Sequence, residues 1–69
     1  MRKYVIELWS ADNDHPYLAT NEKGKVLEFD TWDKGARKAQ SIIFNEEDKN
    51  RWHGWHVTDF PSKFAKPLT

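Results

Sequence analysis

The chain has 69 residues, no cysteine, and 11 basic against 11 acidic side chains. That excludes disulfide staples and thiolate zinc sites, and it argues against a net-charge grip on nucleic acid or an anionic membrane. Hydrophobic residues make up 38% and charged residues 32%, a polar balance for a globular domain, offset by tryptophans and phenylalanines that each bury as much surface as several small side chains.

The first element follows from KYVIELWS, residues 3–10. Tyr4, Ile6 and Leu8 alternate with Val5, Glu7 and Trp9, a period of two that predicts a strand. The Tyr4–Ile6–Leu8 side is the expected core face. Val5 and Trp9 then fall on the second face, an apolar load unusual for a solvated surface. Glu7 interrupts the apolar run too early for a signal peptide, and no stretch has the length of a membrane span, so the expected setting is cytoplasmic.

ADNDHP is loop by composition. YLATNEKGKVLEF reads as a hairpin turning over Asn21–Gly24, with glycine supplying the left-handed residue. Pairing Thr20 with Lys25 and Leu18 with Leu27 puts Leu18, Leu27 and Phe29 on one face. Tyr17, Ala19, Val26 and Glu28 then share the other.

The period changes in DTWDKGARKAQSIIF. Asp30 or Thr31 is a helix cap, Asp33 suits the first turn, and Trp32, Ala36, Ala39 and Ile43 form one stripe. Gly35 beside that stripe costs about 1 kcal/mol of helix propensity relative to alanine, which points to close packing against a sheet. Lys34, Arg37 and Lys38 project from the opposite side. A charged connector, NEEDKNR, follows. WHVTDF then alternates again and predicts a last strand, with Trp55 and Val57 under the helix.

These elements predict an α+β fold in the order β-β-β-α-β: a small, mostly antiparallel sheet of three or four strands with one helix on one face. Residues 1–60 form the expected single domain and 61–69 a C-terminal tail. The last strand is expected beside the first and parallel to it, returning through the helix.

Chemistry is sparse. His53 and His56 are three apart and diverge on a strand, so no metal site or cofactor is expected. Asp12, Asp14 and His15 share a loop, a pattern more typical of a solvated turn than of an acid/base pair. No nucleophile elbow, phosphate loop or metalloprotease motif is present, and the expectation is a protein without catalysis. For nucleic acid, Lys34, Arg37 and Lys38 with Trp52 for stacking are the candidates, weakened by the acids at both ends of the helix. For protein binding, the candidates are Val5, Trp9, Tyr17 and Val26 on the outer sheet face, with Trp52 at the rim. Self-pairing through that face would give a structural homodimer. Cover by the folded-back tail, through Phe64 and Leu68, is the alternative that would remove it.

The run YVIELWS, PYLAT, GKVLEFDTWDKGARKAQ and GWHVTDF resembles small uncharacterised proteins of bacteriophages and prophages. The pattern rests on Tyr4, Val5, Ile6, Tyr17, Leu18, Gly24, Val26, Phe29, Thr31, Ala36, Ala39, Gly54, Trp55 and Val57. The layout is also similar to small phage inhibitors of host RNA polymerase, and anti-CRISPR proteins are of this size. The resemblance implies a protein of the host cytoplasm that binds, and inhibits, a host protein such as RNA polymerase or a defence complex. It transfers no binding residue.

Overall fold

The computed structural model describes residues 3–10, 14–45 and 51–68. The connector at 46–50 and the loop at 11–13, including Asp12, lie outside the described residues. Strand β1 is Val5–Trp9, β2 is Tyr17–Leu18, helix α1 is Trp32–Phe44, β3 is Gly54–Thr58 and β4 is Lys66–Pro67. The sheet runs β3-β1-β2-β4. With one helix packed on this mixed sheet, the fold is α+β.

Local chemistry sets α1 as its sequence predicts. The Thr31 hydroxyl accepts a hydrogen bond from the Lys34 N–H at 3.3 Å, satisfying one orphan donor of the first turn. Gly35, Ala36 and Ala39 are the buried residues of the helix. A Cβ on Gly35 would sit 2.8 Å from Val57 Cγ1, so α1 lies as close to β3 as a bare backbone allows. Ile42 and Ile43 close one end of the core, and Trp32 lies against Trp55 at 6.1 Å between ring centroids. Among the described residues, no helix is long and apolar enough to cross a membrane.

β3, expected as the last strand, is β1's neighbour, but it runs antiparallel, with Ile6 opposite Val57 and Leu8 opposite Trp55. These four side chains form the helix-facing side. Val5, Glu7 and Trp9 face the other way, opposite Thr58, His56 and Gly54.

The hairpin closes one residue later than its sequence suggests. The Asn21 N–H donates to Lys25 O, and Asn21 Oδ1 accepts from the N–H groups of both Lys23 and Lys25. This side-chain turn absorbs an extra residue, with Gly24 at φ 82°. Thr20 therefore faces Val26, not Lys25. A one-residue slip exchanges the faces. Ala19 is buried in the core, Tyr17 packs against it, and Leu18 sits opposite Glu7 on the outer side. The return arm is not a full strand; it is held by two isolated bridges, Thr20 to Val26 and Tyr4 to Phe29.

Residues 61–68, expected as a tail, supply the fourth strand. The β4 strand pairs parallel with β2, Lys66 N–H donates to Pro16 O, and Leu68 packs against the core. β3 and β4 are opposite edges of the sheet, so the chain between them must cross β1 and β2. It does so over the outer face, where Ser62 N–H donates to Glu7.

Candidate functional site

The crossing segment, residues 59–65, forms a strap fastened to a buried charge. Glu7 is 4% exposed. Its Oε2 accepts the Ser62 N–H at 2.9 Å, and its Oε1 lies 3.1 Å from His56 Nδ1. A carboxylate taken out of water is costly unless its oxygens find donors, and here both do. His56 meets Glu7 through Nδ1 while most of its side chain stays exposed.

The strap has its own internal bonds. Phe60 N–H donates to Thr58 Oγ1, Phe64 N–H to Ser62 Oγ, and Ala65 N–H to Ser62 O. The result is a fixed loop that displays two phenylalanines to solvent, Phe60 at 88% exposure and Phe64 at 65%. Lys63 Nζ lies 5.4 Å over the Phe64 ring. Phe64 and Lys66 also line a depression of about 310 Å³ with Asp14 and His15. Trp9, 39% exposed, ends β1 at this same end of the sheet, one residue beyond the Leu8–Tyr17 pair.

This arrangement alters the expected docking face. Of Val5, Trp9, Tyr17, Val26 and Trp52, only Trp9 remains exposed. Val5 is buried at 8% exposure on the face the strap crosses. Tyr17 has moved to the core side through the register slip, and Val26 is half-buried. Trp52 is no rim residue: it is buried in the core cluster, edge-on to Tyr17 at 5.9 Å, with the Arg51 guanidinium 4.8 Å over its ring. Trp55 and Val57 do lie under the helix. Alternation in WHVTDF carries Phe60 to the outer side but does not show that β3 stops at Thr58, and Phe64, expected as tail cover for that face, is instead exposed. The available cue is a pair of phenylalanines on either side of Lys63 in a segment punctuated by Pro61 and Pro67.

Lys34, Arg37 and Lys38 are exposed on α1. Lys34 lies near enough to Asp30 to help hold that carboxyl below its usual range, second to the direct bond from Lys3 at 3.0 Å. Lys38 lines a groove of about 500 Å³ with Leu27, Ile42 and Lys23, between the helix and the hairpin tip. With Trp52 buried, this basic stripe loses the aromatic assigned to base stacking. His53 is exposed, and His15 is edge-on to Tyr17 at 5.0 Å. Among the described residues, no three His, Cys, Asp or Glu side chains gather as a metal-binding group.

No family model, curated protein or solved structure matches this chain.

Proposed function

We propose that this is a small, non-catalytic binding protein of the phage type, which captures a host protein and inhibits it through the strap side of the sheet. The observation that supports this reading is the pair of exposed phenylalanines on a loop pinned at Ser62, midway between them. Exposed aromatics on a mobile loop lose much of their binding energy to ordering. A loop already fixed by hydrogen bonds avoids that loss, and large aromatic anchors dominate most interfaces. Trp9, also exposed, extends the surface at one end. Inhibition then needs no chemistry from this chain, only occupancy of a surface that the host protein uses.

The test is affinity capture from bacterial lysate with the wild-type chain and with the Phe60→Ser/Phe64→Ser variant, both checked for an unchanged circular dichroism spectrum. A host protein retained by the wild type and lost by the variant supports the reading. Equal recovery by both, or a wild type that only pairs with itself in sedimentation, overturns it.

A further inference from the structure

We infer that the strap recognises an acidic segment of a partner protein, with apolar side chains set among its carboxylates. This rests on the binding reading above and names the chemistry of the partner. Between Phe60 and Leu68 the only charged residues are Lys63 and Lys66. Both are exposed, and among the described residues neither has a carboxylate partner. Lys3 shows the contrast, being paired with Asp30 at 3.0 Å. Glu7, a carboxylate beneath the strap, has both oxygens engaged by Ser62 and His56. Asp14 shares a depression with Phe64 and Lys66 but forms no ion pair with Lys66, and Asp59 precedes Phe60, so both lysines keep their charge unpaired beside these acids.

Cation and aromatic therefore alternate along one fixed loop: Phe60, Lys63, Phe64, Lys66. A partner that places a carboxylate between two apolar contacts complements that order. Two lysines are few for tracking a phosphate backbone, whose binding scales with the number of neutralised charges. They are also few for an anionic bilayer, where each surface lysine contributes little on its own.

The experiment titrates the isotope-labelled full chain with a fluorescein-labelled peptide of glutamates interspersed with leucine and tryptophan. Parallel titrations use the same peptide with glutamine for glutamate, a dT20 oligonucleotide, and phosphatidylserine/phosphatidylcholine vesicles. The expected result is saturable binding of the acidic peptide alone, with amide shifts centred on residues 60–66 and weakening as salt rises. Phe60→Ser/Phe64→Ser lowers affinity at least tenfold, and Lys63→Gln/Lys66→Gln about fivefold. No saturable binding, equal binding of the glutamine peptide, or preference for dT20 or vesicles overturns the inference. Should a host protein be captured in a phenylalanine-dependent way while these outcomes hold, the binding reading stands and the acidic partner alone falls.

Discussion

Glu7 shows how one residue joins two parts of the chain that are distant in sequence. In KYVIELWS it reads as an ordinary outward-facing acid. In the fold it is, among the described residues, the only charged one that is buried, and it holds both His56 and the strap. Its two contacts are unequal. His56 is largely exposed, so its removal releases a partner that water can replace, and His56→Ala should cost no more than about 1 kcal/mol. Glu7→Leu leaves the Ser62 N–H without its acceptor and should cost about 2 kcal/mol. Urea unfolding of the two variants gives the ranking; equal midpoints would show that the strap is not fastened here. The Lys3–Asp30 pair makes a second prediction at this scale. The direct hydrogen bond and attraction raise the Lys3 pKa and lower that of Asp30. For Asp30, the stabilisation is present above its unfolded pKa and lost as pH falls through the depressed folded value. For Lys3, it is present below the unfolded pKa and lost as pH rises through the raised folded value. The pair therefore contributes between those limits and fades at both. Both groups are solvent-exposed, so the effect is small and salt-sensitive. The difference in melting temperature between wild type and Asp30→Asn should be largest near neutral pH and vanish at strongly acidic and strongly alkaline pH.

Among the elements, α1 was legible and the hairpin only partly so, for reasons that lie in how each is specified. The helix is fixed by signals within a dozen residues: the Thr31 cap, the small-residue stripe and the change of period. Its closest approach, Gly35 on Val57, is a local packing fact that its sequence already implies. The test is Gly35→Ala. Alanine gains about 1 kcal/mol of helix propensity but forces a methyl into Val57, and overpacking of that kind costs about 1–3 kcal/mol. The net should be a loss of about 1 kcal/mol, and Val57→Ala in the same chain should relieve it. A double-mutant cycle by urea denaturation then gives a favourable coupling of about 1 kcal/mol; strict additivity would mean that helix and strand stand further apart than described. The hairpin differs because its register depends on one side chain. Alternation told that Leu18 and Ala19 face opposite ways, but not which way. That choice was made by Asn21 bonding Lys23 and Lys25, a turn that adds one residue to the loop. The same limit hid the direction of β3, since strand alternation is blind to whether the neighbour is parallel or antiparallel. The candidate site suffered most: Tyr17 followed the slipped register inward, and Trp52 lies in a segment without period.

At the scale of the molecule, the strap decides whether residues 61–69 belong to the domain. Taken as a tail, they could be removed without consequence. The fold gives them three structural tasks: β4 pairs with β2, Leu68 packs on the core, and Ser62 satisfies Glu7 across the outer face. A single core in a chain of this size supplies about 3–5 kcal/mol of stability. Losing the partly buried Leu68 removes about 1 kcal/mol of apolar burial. Leaving a buried carboxylate without one of its donors costs about 1–3 kcal/mol more. Exposure of Val5 and Leu18 adds to both. Together these losses rival the whole stability, so a chain ending at Phe60 should be unfolded or molten at 25 °C, with a collapsed amide spectrum and no cooperative urea transition. Leu68→Ala keeps the strap and should unfold cooperatively at a lower midpoint, separating loss of one side chain from loss of the crossing. If the shortened chain instead keeps a sharp transition at the wild-type midpoint, the strap only decorates a self-sufficient sheet. The fixed display of Phe60 and Phe64 would then lose the rigidity on which their role as anchors depends.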